Sequence, residues 1–374
     1  MTLTERLLPN TKLIGPYGLA TVNLGGKGAI TADGADGLLL TGLKISGASN
    51  RRLSEDEALL TFNHCANLVV SDVLIEQAPV NALKLWRSSG RVERCHFERT
   101  GHTALVSGNS IAGIDISHNV IRDAGNNGVV VWRDAAGIDG AIVSNNNISA
   151  VRTDGGGSGQ NGNGINVFRA GNVVVATNTI HDCAYSAVRC NSASNAQVVA
   201  NNCHEIVEVA LYAEFSFEGA VIANNIVDGA GSGVVVTNFK EGGRLATVQG
   251  NIIRNLVRRE HEVVDKRGVG IAVEADTIVN ANTIEGAPTA GISIGWGQWL
   301  RQVAVNGNLI RDAGVGIAVS ANGKSGSVLI TGNVIGAVRH GGIRLADFDK
   351  LIGPELDDAS TKASPAVVRG NLIS

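Results

Sequence analysis

The sequence predicts an all-β chain wound as one right-handed parallel β-helix, a solenoid of about a dozen three-strand coils with an asparagine ladder along one turn. Three observations predict it. Ten asparagines each stand two residues before a short apolar residue, at intervals of 23 to 38 residues. A glycine-rich alternating segment usually follows that apolar residue eight positions on, as Ile284 leads to Ile292 and Ile335 to Ile343. Glycine is abundant at 48 residues where proline is scarce at 6, a balance suited to many tight turns between short strands.

The asparagines are Asn119, Asn146, Asn178, Asn201, Asn224, Asn251, Asn282, Asn308, Asn333 and Asn371. Their apolar partners are isoleucines, with Cys203 the exception. Val73 with Ile75, and Cys95 with Phe97, keep the spacing without the asparagine. A segment such as Ala220-Val221-Ile222-Ala223, ending at the asparagine, is the first strand of a coil. The isoleucine lies on the second strand. A segment such as Gly270-Ile271-Ala272-Val273 or Gly316-Ile317-Ala318-Val319 is the third. Period-two alternation sends the first and third apolar residues of such a run inward. Strands this short are unstable alone, but stacked coils pair them into three parallel sheets. Each asparagine sits at a tight turn, where its side chain satisfies backbone groups. Stacked ~4.8 Å apart, the amides also bond one another. Helical repeats are excluded, because long segments of period 3.6 are missing. The whole chain, 1–374, reads as one domain, with 1–24 as an N-terminal cap and 25–374 as coils. An open solenoid end exposes apolar core, so the ends are also where another copy would meet this one.

Composition narrows the function. The 44% hydrophobic content supports a long continuous core, and the net charge of −3 leaves no basic footprint for nucleic acid. No run of eighteen apolar residues exists to form a transmembrane segment. Cys65, Cys95, Cys183, Cys190 and Cys203 are odd in number and contain no Cys-x-x-Cys pair. They read as small buried hydrophobes rather than a zinc site or a disulfide framework. The start, Met1-Thr2-Leu3-Thr4-Glu5-Arg6, lacks the charged and apolar regions of a signal peptide.

The asparagine-plus-isoleucine pattern resembles the right-handed parallel β-helix repeats of pectate lyases, polygalacturonases, uronan epimerases and phage tailspikes. More narrowly, Gly34-Ala35-Asp36-Gly37 through Gly42-Leu43, then Ala58-Leu59-Leu60-Thr61-Phe62 and the coils, resemble a bacterial family of twin-arginine-translocated proteins described by a cofactor-binding repeat. That resemblance implies export to the periplasm or beyond. It offers no catalytic residues to carry over. The Asp-Pro-His signature of alginate epimerases and the paired aspartates of polygalacturonases are missing from the sequence.

In the related enzymes the substrate groove runs along the Gly-Ile-x-Val sheet. Its outward positions here form two columns. One includes Lys84, Val106, Val130, Asn166, Arg189 and Tyr212; the next includes Trp86, Gly108, Trp132, Phe168, Asn191 and Glu214. Tyr185 and Glu208 stand just before the strand. Long loops, Ala150 to Asn163 and Leu256 to Arg267 with its charged run Arg258-Arg259-Glu260-His261-Glu262, flank coils of minimal length. Raised walls around a low floor make a groove.

The residues at the floor suit elimination on a uronate. Arg189 can neutralise a carboxylate through its fork. Tyr212, beside a guanidinium that lowers its pKa, can act as base or acid. Glu208 and Glu214 assist, or form a carboxylate pair for hydrolysis. Trp132, Asn166, Phe168, Tyr185 and Asn191 are the candidate substrate-binding residues. The Trp86, Trp132 and Phe168 column reads equally as a sugar-stacking platform or as cover for the sheet. His181 and His204 follow core residues and are flanked by acids that recur at the same turn, so they read as structural and no metal site is assigned. The expectation is a lyase or hydrolase acting on an acidic polysaccharide. The alternative is a non-catalytic polysaccharide-binding module, or a structural exported repeat protein with a cofactor of unknown kind.

Overall fold

The computed structural model describes residues 4–17, 20–24, 29–47, 56–259, 261, 267–324, 327–359 and 365–374. Met1, Thr2, Leu3, Glu260 and Glu262 of the segments named above lie outside the described residues, as does the whole stretch from 262 to 266. The chain divides into two units, residues 1–188 and 189–374. Both are all-β and built from short parallel strands, as the repeat predicts; among the described residues the helical content is one short 3-10 turn at Phe239–Glu241.

In the first unit, three columns of apolar side chains stack in register. Val70, Val92, Ile116, Val143 and Val175 pair strand to strand. So do Ile45, Ile75, Phe97, Ile121, Ile148 and Ile180. Leu60, Leu83, Leu105, Val129 and Ile165 complete the set. All are at most 1% exposed. Each such side chain contributes about 1.5–3 kcal/mol by leaving water, and only stacking makes that burial available to strands that are mostly three to six residues long. The stacking begins early: Thr4–Arg6, Lys12–Ile14 and Ala20–Leu24 pair in parallel with Ala29–Asp33, Leu39–Thr41 and Leu43–Gly47.

The turn before each isoleucine strand has a specific problem. Its residue adopts a left-handed backbone, as at His118 (φ 58°), Asn145 (φ 56°) and Thr177 (φ 57°). The bend faces a buried N–H and C=O inward where no strand pairs with them, and leaving them bare is expensive. The asparagine that follows supplies both partners. Asn146 Oδ1 accepts from the Asn119 N–H at 2.9 Å and its Nδ2 at 3.0 Å. Asn146 Nδ2 in turn donates to the Ile116 carbonyl and to Asn178 Oδ1, both at 2.9 Å. Every donor and acceptor of the amide is used. Cys95, which occupies the asparagine's place one coil earlier, still donates its N–H to Asn119 Oδ1 at 2.9 Å.

The second unit carries the same device through Asn201, Asn225, Asn251, Asn282, Asn308, Asn333 and Asn371, with amide-to-amide links of 2.8–3.0 Å. One expectation is corrected here. The ladder residue is Asn225, not Asn224. Asn224 is the exposed left-handed residue (φ 57°), Val227 is the core partner, and Ile226 is 40% exposed. Two adjacent asparagines make the Asn-x-Ile spacing fit one position too early. Ile222 and Val227, both buried, settle the register, because a one-residue slip would turn every side chain of the strand to the wrong face. The three-sheet coil is also modified. Asn202–Glu214, Thr283–Ile294 and Leu309–Ser320 each run continuously through the second and third strand positions, with a register shift where the coil bends. Ile343–Asp347 and Lys350–Glu355 form an antiparallel pair at the side of the last coils.

All five cysteines are buried and form no disulfide. Cys95 and Cys203 hold core or ladder positions, and burial pushes their thiols, with that of Cys190, up to about 12.

The ladder assignment has a direct check. Asn225→Leu removes the side-chain acceptor of the Asn201 N–H, one of the two acceptors of Asn201 Nδ2, and the side-chain donor to the Val198 carbonyl, at about 1–3 kcal/mol for each buried group left bare. Asn224→Gly should be neutral or slightly stabilising, since glycine adopts a left-handed backbone freely. Thermal unfolding of the two variants is expected to show a large loss for the first and almost none for the second; equal losses would return the ladder to Asn224.

Candidate functional site

The third strand of each coil has one face in the core and one turned out. In the first unit, pairing places Lys84, Val106, Val130 and Asn166 in one outward row and Trp86, Gly108, Trp132 and Phe168 in the next. The second row is aromatic except at Gly108. The Trp86 ring covers Gly108 so closely that a Cβ there would lie 2.0 Å from a ring carbon, so only glycine lets the indole lie flat. Trp132 and Phe168 stack with centroids 4.3 Å apart and planes 24° from parallel. Trp132 remains 37% exposed, and its Nε1 donates to Asp134 Oδ1 at 3.1 Å. Asn109 Nδ2 donates to the same carboxylate at 2.8 Å, and these hydrogen bonds hold Asp134 below the usual carboxylate range.

Two cations sit on this row. The Lys84 ammonium is 5.2 Å from the Trp86 centroid and the Arg169 guanidinium 4.7 Å from that of Phe168. Each ring thus has its electron-rich face occupied by a positive charge on a solvent-facing strand.

Asn166 and Tyr185 do different work from that expected. Asn166 is buried, and its Nδ2 donates to the Gln160 carbonyl at 3.1 Å. Tyr185 Oη donates to the Gly157 carbonyl at 2.8 Å. Both therefore pin the glycine-rich loop that runs from Thr153 to Asn161. Asn126 Oδ1 accepts from the Gly155 N–H at 2.8 Å, and Asn127 Nδ2 donates to Gln160 as well. The loop is a fixed wall beside the aromatic row.

Sequence reasoning missed a second amide series along that wall. Asn81 Oδ1 accepts from the Thr103 N–H, Asn127 Oδ1 from the Asn163 N–H and Nδ2, and Asn163 Oδ1 from the Ser186 N–H. The signal was present: each of these polar residues stands two before a core residue, as in the main ladder. It was hidden because Thr103 and Ser186 stand in place of asparagine in two of the coils.

In the second unit, Arg189, Asn191, Glu208, Tyr212 and Glu214 come together. Arg189 Nε and Nη2 donate to the two Glu214 oxygens at 2.6 and 2.8 Å, a bidentate fork. Its Nη1 lies 3.5 Å from Glu208 Oε2, and its guanidinium lies 5.1 Å from the Tyr212 ring centroid. Asn191 Nδ2 adds a bond to Glu214 at 2.9 Å. Burial pulls the guanidinium's pKa down, but the Glu214 hydrogen bonds and charge, with Glu208, outweigh it and leave it raised.

The expectation that these side chains face an open groove is corrected. Arg189, Glu208, Tyr212 and Glu214 are only 2–6% exposed. Tyr212 packs in an apolar cluster with Val209, Val235, Val269 and Ala272. Alternation along a strand tells inward from outward, but not how deeply the outward side is covered. Removing the cation here would leave two buried carboxylates without their counter-charge.

Further along the second unit is an aromatic group that the sequence reading did not single out. Trp296 and Phe348 meet edge to face at 5.3 Å, Phe239 and Trp299 at 6.4 Å, and Arg301 lies 4.5 Å from the Phe239 centroid.

Solved structures share this architecture at low identity. The catalytic unit of an α-1,3-glucanase from Streptomyces thermodiastaticus strain HF3-3 is 15% identical, with a TM-score of 0.52 over 95% of this chain and 63% of that one. Tailspike protein 3 of bacteriophage CBA120 is 12% identical, with a TM-score of 0.55 over 98% of this chain and 56% of that one. PfbA, a surface adhesin of Streptococcus pneumoniae, is 12% identical, with a TM-score of 0.50 over 87% and 81%. At these identities the likeness is one of fold. No curated protein sequence matches the chain. The family described as the right handed beta helix region matches residues 81–253 and 136–298, together more than half of the 374 residues. Stacked parallel coils, the in-register core columns and this match agree: the chain belongs to the right-handed β-helix family.

Proposed function

We propose that this protein is exported and binds an acidic polysaccharide along the outward aromatic row of its first unit. One observation carries the reading: Trp86, Trp132 and Phe168 form a part-exposed aromatic row with Lys84 and Arg169 seated on it. A pyranose presents an apolar face that stacks on a ring, and a uronate presents a carboxylate that a cation meets. Coils rise ~4.8 Å each, close to the advance of one sugar in an extended chain, so Trp132 and Phe168, on adjacent coils, address successive residues of one polymer, and Trp86 lies two coils before Trp132. The pinned loop beside the row orders no chain on binding, which keeps the entropic cost low. An α-1,3-glucanase and a surface adhesin share the fold, in keeping with a glycan partner and an exported location.

A second reading, catalysis by Arg189, Tyr212, Glu208 and Glu214, is favoured by the convergence of a guanidinium, a phenol and two carboxylates at one place. Their burial supports a structural role more strongly. The ion pair fastens neighbouring coils where the floor of the sheet carries charge.

Two experiments separate the readings. Retention on immobilised uronans and neutral glycans should favour the acidic polymers and weaken with salt. Trp132→Ala should lower that affinity by about tenfold, or ~1.4 kcal/mol, with the melting temperature nearly unchanged. Equal retention of the variant on every glycan would remove the platform. Arg189→Ala should cost about 3–5 kcal/mol of stability while leaving glycan retention intact. Release of unsaturated products by the wild type, abolished in Tyr212→Phe, would instead establish the catalytic reading.

A further inference from the structure

The second unit presents a different surface on the strands that end at the asparagine turn. Their outward residues Val221, Thr247, Ile278, Ala304, Leu329 and Val367 align in register. Val221, Ile278 and Leu329 are 38–48% exposed, and Leu245 beside them is 50% exposed. In the first unit the equivalent row is Val69, Arg91, Asp115, Ile142 and Val174, interrupted by charge. From Val221 to Val367 the row of the second unit carries no charge, and Thr247 is its one polar member.

A row of charges borders it. Glu218, Arg244, Asp276 and Arg301 stand at the starts of four successive strands and alternate in sign. Arg244 pairs with Glu218 and, at 3.2 Å, with Asp276; Arg301 Nε donates to Asp276 at 2.8 Å. On the other side the apolar row is bordered by the uncharged Ala223, Gln249, Asn280 and Asn306.

We propose that this face binds a second copy of the chain, antiparallel, about a two-fold axis between the coils of Thr247 and Ile278. The order of charges argues for that occupant. An alternating row of four is its own complement when reversed. A two-fold axis across the solenoid sets Glu218 against Arg301 and Arg244 against Asp276 of the facing copy, and the reciprocal contacts follow from symmetry. Turning the copies parallel would instead lay the charged row on the neutral carboxamide row, burying charges with no new partner. The same signs recur over the same four coils on the next strand, in Asp228, Arg254, Glu285 and Arg311. A shallow depression of about 410 Å³, lined in part by Gln197, Val221, Leu245, Thr247, Asp276 and Ile278, gives the facing side chains a place to seat. This inference does not depend on the polysaccharide reading, which concerns the other unit.

Sedimentation of the full chain over a range of concentrations should show a monomer–dimer equilibrium. Ile278→Glu should raise its dissociation constant by about 100-fold or more, with an unchanged circular dichroism spectrum. Orientation is read by cross-linking. The double variant Val221→Cys/Ala304→Cys should be joined into dimers by a short bis-maleimide that spans sheets packed ~10 Å apart, since these positions face each other only in the antiparallel pair. Neither single variant should be joined, and the native thiols are buried. A monomer at all concentrations, a dimer indifferent to Ile278→Glu, or cross-linking of Val221→Cys alone would overturn the proposal.

Discussion

The structure depends on the satisfaction of backbone groups at one left-handed bend. A parallel coil must turn between its first and second strands, and the turn leaves a buried N–H and C=O that no sheet can pair. An asparagine amide has the two acceptor sites and two donors that the bend and its neighbour require. Because each amide bonds the next, satisfying one coil's turn also fixes the position of the following coil. The register of the core columns, and hence of every outward row, follows from that link.

Outward rows are where one coil of such a molecule can differ from the next, and the two units differ in theirs. In the first, glycine at 108 lets an indole lie flat and continue an aromatic row that ends in the stacked Trp132 and Phe168. In the second, the corresponding strand face carries small apolar residues and a buried Arg189–Glu214 fork. A single architecture thus carries an aromatic row in one place and a locked ion pair in the other.

Much of the fold was legible because its rule is local and repeated. Asparagine two before isoleucine, with an alternating strand eight residues on, locates the turn and the inward face of nearly every coil. The error at Asn224 shows the limit of a spacing rule: with asparagines at both 224 and 225, only the burial of Ile222 and Val227 chooses between them. The site was less legible for a physical reason. Period-two alternation keeps Arg189, Tyr212 and Glu214 out of the core columns, yet all three are buried, and part of the cover on Tyr212 comes from a residue distant in sequence, Val269. Tyr185 and Asn166 looked like ligands for a sugar because nothing in their own strands reveals that a loop carbonyl already holds them.

The placement of the five thiols has a bearing on how the folded chain meets an oxidant. Disulfide exchange needs a thiolate and a path to it. In the folded molecule both are denied: the sulfurs lie beneath the sheets, and three of them hold their protons to about pH 12. An odd number of unpaired cysteines is ordinarily a liability in an oxidising medium, where it invites covalent dimers and scrambled bonds. Here the hazard is confined to the interval before the coils close. Oxidant met after that interval finds an inert surface, so the timing of folding relative to exposure, more than the redox potential of the surroundings, governs whether the thiols survive.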